Sequence, residues 1–112
     1  MRYEVKLGSR FKRAFKRLWK KYHSLDKDLE CLIEELEQNA LVGADLGNGV
    51  RKVRMPIRDK GKGKSHGARV ITYTTLISVE EGSVTLLTIY DKSEQGNITD
   101  REIRELLADL QH

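Results

Sequence analysis

Cysteine is almost absent from this chain. Cys31 is the only one, so no intramolecular disulfide can form, and a reducing, cytoplasmic setting is the expected one. Proline occurs once, at Pro56. No apolar run is long enough to span a bilayer, which argues against a membrane protein. The opening residues, MRYEVKLGSRF, hold no apolar stretch, so no signal peptide is expected. Histidine is scarce, at positions 23, 66 and 112 only. With 112 residues, 38% of them hydrophobic, the chain is expected to form one domain over residues 1–112 with a modest core.

Charge is plentiful and unevenly spread. The net charge is +4, a mild sign of an acidic partner. Residues 1–23 carry nine cations and one anion, and residues 24–46 carry one cation and seven anions. Residues 47–70 carry eight cations and one anion, and residues 71–112 carry three and eight. Two basic blocks brought together by folding would make one strongly positive surface.

The pattern of apolar residues orders the chain. Residues 3–7 alternate as a short strand. Ser9 is placed to cap a helix whose stripe is Phe11, Ala14, Phe15, Leu18 and Tyr22. The opposite face of that helix is basic and includes Arg13 and Lys20. Ser24 is placed to cap a second helix, with Leu25, Leu29, Leu32, Ile33 and Leu36 inward and an end near Asn39. A link of one or two residues predicts a helical hairpin. Residues 40–49, rich in glycine, read as a loop. Strands are expected over residues 50–55, ended by Pro56, then over 68–79 and 84–90 with a turn at 80–82. Thr99 and Glu102 form a capping box for a last helix. The expected fold is α+β, a small, mostly antiparallel four-stranded sheet with an N-terminal helical hairpin and a C-terminal helix, in the order β-α-α-β-β-β-α.

The most informative stretch is residues 50–73, VRKVRMPIRDKGKGKSHGARVITY. Its cations are Arg51, Lys52, Arg54, Arg58, Lys60, Lys62, Lys64 and Arg69, interleaved with Gly61, Gly63 and Gly67. Cations on strands are held in place, and glycines let backbone approach phosphate, so the stretch suits a polyanion.

GKGKSHGARVITY, together with LLTIYDKSEQGNIT and the order of elements, resembles the RelE/HigB superfamily of type II toxin–antitoxin toxins, the HigB-like branch above all. The likeness runs from YEVKLGSRFKRAFKRL to the last helix. It implies an endoribonuclease that cleaves mRNA on the ribosome without metal or organic cofactor. It also implies a cognate antitoxin, a small helix-turn-helix protein, and a toxin that is monomeric by itself. The family's basic strand pair falls on Lys52 and Arg54, its phosphate-stabilising arginine on Arg69, and its strand-end cluster on Tyr90, Asp91, Lys92 and Glu94. Relatives carry an arginine or histidine in that cluster and a tyrosine near the last helix; this chain has Ser93, Ile98 and Thr99 there.

Metal-free RNA cleavage needs a base for the 2′-hydroxyl, an acid for the leaving 5′-oxygen and cations for the phosphorane charge. Of the histidines, only His66 lies near the candidate site, so lysine and arginine must carry much of the work. Lysine exchanges protons near neutral pH only where neighbours lower its pKa, which makes a pre-positioned substrate valuable. The expected catalytic set is Arg69 for the phosphate, Lys92 and Lys52 for proton transfer, and Arg54 for positioning. Arg58, Lys60, Lys62, Lys64, His66, Arg13 and Lys20 are expected to hold RNA or the ribosome, and no metal site is expected.

Plainer readings stand beside these. Lys52 and Arg54 would also serve on a strand whose charges discourage edge pairing. Lys92 would also pair with Asp91 or Glu94 at the surface. Tyr73 and Tyr90 read as packing residues on the sheet, with stacking on a base as the alternative for either, and Cys31 as a small, partly buried apolar one. A ParE-like inhibitor of gyrase and a non-catalytic RNA-binding relative stay open as alternative functions.

Overall fold

Strand β1 (Glu4–Leu7) begins the order in a computed structural model that describes residues 3–61 and 66–110. Helix α1 (Ser9–Trp19) follows at once, because Gly8 donates its N–H to the Leu86 carbonyl at 2.9 Å and turns the chain there. The cap position is therefore Gly8 with no side-chain bond, and Ser9 is already inside the helix. Helix α2 (Leu25–Gln38) has Ser24 at its cap position, but the Ser24 hydroxyl donates to Asp28 Oδ2 instead of capping. Five residues, 20–24, separate the two helices where one or two were expected. The reason is Tyr22, which leaves the helix to donate its hydroxyl to Asp91 Oδ2.

The glycine-rich stretch after α2, expected as a loop over residues 40–49, contains a strand. Strand β2 (Ala44–Gly47) pairs antiparallel with β3 (Val50–Met55) across a two-residue turn. Asn48 and Gly49, at φ 55° and 81°, supply the two left-handed positions that such a turn needs. β2 is exposed along its whole length, so it carries no apolar alternation to announce it. Strands β4 (Ala68–Ser78) and β5 (Glu81–Asp91) form a long hairpin, and α3 (Asp100–Asp109) closes the order. The Thr99–Glu102 capping box is present, with both reciprocal bonds at 3.1 Å.

The sheet has five strands in the order β1-β5-β4-β3-β2. Its β1–β5 pair is parallel and the other three are antiparallel, so it is mixed, with one strand more than expected. One face lies under α1 and α2, where Val53, Met55, Val70 and Leu86 meet Phe11, Leu25, Leu32 and Leu36. The other carries a smaller cluster, in which Val50, Ile71, Leu87 and Tyr90 meet Ile98 and Leu106 from the α3 side. A bulge at Leu87 lets Leu86 and Ile89, three residues apart, both face the larger core, while Leu87 and Tyr90 face α3. No helix among the described residues is long and apolar enough to cross a membrane.

Candidate active site

Strand alternation decides which face each cation takes. Val53 and Met55 point into the larger core, so Lys52 and Arg54 between and beside them point to the α3 face. Arg54 lies directly opposite Arg69 on β4, and Arg69 lies opposite Tyr90 on β5. The three form one cross-strand row on that face. Lys52 is opposite Ile71, one pleat further along.

The segment after β5 draws the lysines together. Lys92 Nζ donates to the Gly96 carbonyl at 2.7 Å, and Lys52 Nζ approaches Asn97 Oδ1 at 3.5 Å. The Lys92 backbone N–H donates to the Gly67 carbonyl at 3.1 Å, which ties the strand end to the base of the glycine loop. Gly67 is required there by space, since a Cβ would run into the Met55 carbonyl. Lys52, Arg54, Arg69 and Lys92 thus come from two strands and one turn to one end of the sheet. Lys52, Arg54 and Lys92 make no ion pair among the described residues. The surface partners open to Lys92 are taken, Asp91 by Lys60 and Glu94 by Lys21 at 3.7 Å.

Arg69 is 5% exposed, although it carries a guanidinium at the start of the central strand. Its Nη1 donates to the Ala68 carbonyl at 3.3 Å. Beside it, the Tyr90 hydroxyl is buried and has no hydrogen-bond partner among the described residues. Burial pushes the Tyr90 pKa up; the Arg69 charge opposes that shift and the Glu102 charge adds to it. The sequence places Tyr90 in the strand-end cluster and favours packing over base stacking for its ring. Its place in the row comes from register, which composition does not reveal.

The other expected contacts divide. Lys60 is turned inward, with its Nζ donating to Asp91 Oδ1 at 2.8 Å and its side chain 13% exposed. Asp91 Oδ1 also accepts from the Ser93 N–H at 2.9 Å and the Ser93 hydroxyl at 2.8 Å. Burial alone would raise the Asp91 pKa, but the bonds from Lys60 and Ser93, with the lysine charge, bring it down to about 2. Lys60 therefore neutralises a buried carboxylate and leaves the set of surface cations. Arg58 turns toward α2, with its Nε 3.5 Å from Asp28 Oδ1 and its Nη2 3.2 Å from Cys31 Sγ, and its side chain stays 61% exposed. His66 is exposed at the end of the loop, and Arg13 and Lys20 are exposed on α1. Lys62 and Lys64 lie outside the described residues.

Asp91 and its partners were not legible as a unit. Tyr22, Lys60, Asp91 and Ser93 are spread over 72 residues and share no motif. Among the described residues, no group of three or more His, Cys, Asp or Glu side chains is placed to hold a metal ion.

This end of the sheet can hold and neutralise a phosphodiester, with excess positive charge on fixed backbone beside a buried arginine. Residues 10–110 match the model of a protein family described as the RelE toxin of the RelE / RelB toxin-antitoxin system. Since the match spans most of the chain, this protein belongs to the RelE family, the toxins of toxin–antitoxin pairs, and its partner is a cognate antitoxin.

Proposed function

We propose that this toxin is a ribosome-dependent mRNA endoribonuclease that works without a metal. The observation that carries the reading is the meeting of Lys52, Arg54, Arg69 and Lys92 at one end of the sheet. In the reaction, the ribose 2′-oxygen attacks the adjacent phosphorus as a base removes its proton. The phosphorane collapses to a 2′,3′-cyclic phosphate, and the 5′-oxygen leaves with a proton from an acid. Arg69 stabilises the phosphorane charge, and Arg54, opposite it in the register, positions the phosphate. Lys52 and Lys92 are the proton carriers, converging on neighbouring residues of the 96–97 turn. Arg58, Lys62, Lys64, His66, Arg13 and Lys20 are left to grip RNA on the ribosome. The antitoxin is a small helix-turn-helix protein, and the pair works in the cytoplasm.

The scarcity of histidine explains why a ribosome is needed. Lysines make poor proton carriers on a freely moving substrate, and holding the mRNA in place supplies the missing orientation. Purified ribosomes carrying a defined mRNA should be cut by the wild type in phase with codons, while the same RNA free in solution stays whole. No cutting on ribosomes, joined to inhibition of DNA supercoiling by gyrase, would replace this reading with a ParE-like one.

A further inference from the structure

The outer edge of β5 is only half covered. β1 pairs with it over Ser83–Leu86 and stops, so residues 88–91 have no neighbouring strand on that side among the described residues. The space beside this edge is a channel. A cavity of about 420 Å³ lies between the second half of α1 and the turn after β5. It shares Ala14, Arg17, Ile89, Tyr90 and Gln95 with a second cavity of about 190 Å³ that continues between α1 and α3.

Two residues that line this channel, Tyr90 and Arg17, carry groups without a partner among the described residues. The Tyr90 hydroxyl is buried without a hydrogen bond, which is unusual for such a group unless a ligand supplies one. Arg17 lines both cavities, is exposed, and makes no ion pair among the described residues. The remaining character of the walls selects the ligand. Ala14, Leu18 and Ile89 give an apolar surface. Charged groups of both signs also line the channel, the carboxylates Asp91, Glu94, Glu102 and Glu105 outnumbering the cations Arg10, Arg17 and Lys21. A phosphate or an acidic peptide would meet those carboxylates. A nucleobase is neutral and planar, and its edge offers both donors and acceptors, so it suits an apolar wall with a few polar groups.

We propose that this channel is a nucleobase subsite, in which one base lies against Ala14, Leu18 and Ile89 with its edge hydrogen-bonded by Tyr90 and Arg17. Assigning that base to the substrate RNA rests on the nuclease reading. The row supports the assignment, since Tyr90 follows Arg54 and Arg69 across the sheet, so a base in the channel has its backbone toward the arginines.

The test uses the isolated protein and needs no ribosome. Methyl resonances of Ala14, Leu18 and Ile89 are followed by NMR during titration with each of the four ribonucleoside 5′-monophosphates and, separately, with ribose 5-phosphate. At least one monophosphate should move all three methyls, and ribose 5-phosphate should not. Loss of one hydrogen bond in Tyr90→Phe should weaken that binding ~5-fold. Arg17→Gln, at an exposed position, should weaken it similarly without touching the core. Equal shifts with ribose 5-phosphate, unmoved methyls with every nucleotide, or unchanged affinity in both variants overturns the subsite. Methyl shifts in a protein that fails to cut on ribosomes would keep the base site and remove the nuclease reading. Cutting without the shifts would do the reverse.

Discussion

Lys52 and Lys60 belong to the same cationic stretch, eight residues apart, and meet opposite fates. Lys60 is folded inward against Asp91, whose carboxylate accepts four hydrogen bonds, three of them on Oδ1 from Lys60 and Ser93 and one on Oδ2 from Tyr22. Lys52 stands on the α3 face with, among the described residues, only an amide oxygen at 3.5 Å. One region is saturated and electrically closed, and the other keeps a surplus of positive charge. A saturated network stabilises the fold and has nothing left for a ligand. Lys52, Arg54 and Lys92 make no ion pair among the described residues, and a phosphate can supply the missing negative charge. The difference separates scaffold from site within a single charge run.

That division can be broken by substitution, and the largest effect is expected at Arg69. Arg69→Ala should lower cleavage on ribosomes ~10³-fold, the scale for losing a preorganised group that stabilises transition-state charge. Its circular dichroism spectrum should match that of the wild type. A variant that unfolds would move Arg69 to the scaffold side. Lys60→Ala comes next, because it leaves Asp91 buried without its cation. Urea unfolding should show a loss of ~3 kcal/mol, with cleavage per folded molecule retained. Full stability with lost cleavage would erase the contrast between the two lysines.

Lys52→Ala is the mirror case. Cleavage should fall ~10²-fold, as for a lost proton carrier, while urea unfolding stays within ~0.5 kcal/mol of wild type, as for most surface changes.

Acid provides a smaller and sharper probe. The Asp91 pKa is about 2 in the fold against ~3.9 in an unfolded chain. Because folding depresses it, its contribution is present above the unfolded value and is lost as pH falls toward the folded one. Unfolding measured across pH ~4 to ~2 should show this contribution, ~2 kcal/mol, disappear. Asp91→Asn should lack that component of the acid limb. The smallest effect is expected at the end of α3, where Thr99→Ala removes the cap and should cost ~1 kcal/mol. Cleavage should follow only the folded fraction, since this helix supports the site's face without supplying a cation to the row.

Much of this could be read along the chain. The helix stripes, the Thr99–Glu102 box, the strand ended by Pro56 and the hairpin of β4 and β5 all rest on local pattern, and all are present in the fold. β2 was hidden because an exposed edge strand of four residues has no apolar face to show. Its one local sign was Asn48-Gly49, a turn signal that was absorbed into a longer glycine-rich loop. The α1–α2 link was misjudged because Tyr22 fits the helical spacing yet answers to Asp91, 69 residues away. Lys52, Arg54, Arg69 and Lys92 are named from the sequence along with Tyr90 and Asp91, while the pairing of Lys60 with Asp91 and the approach of Lys52 and Lys92 to residues 96–97 are not.

Residue order alone determined the α+β class, the basic segment and the spacing of two that sends Lys52 and Arg54 to one face. These follow from the period of a strand and the chemistry of neighbouring residues. Tertiary structure decided which cations remain available. Pairing register set Arg54 beside Arg69 and Arg69 beside Tyr90, and the burial of Asp91 drew Lys60 out of the surface. Local sequence cannot carry that information, because a charge's role depends on the partner that folding brings to it from far along the chain.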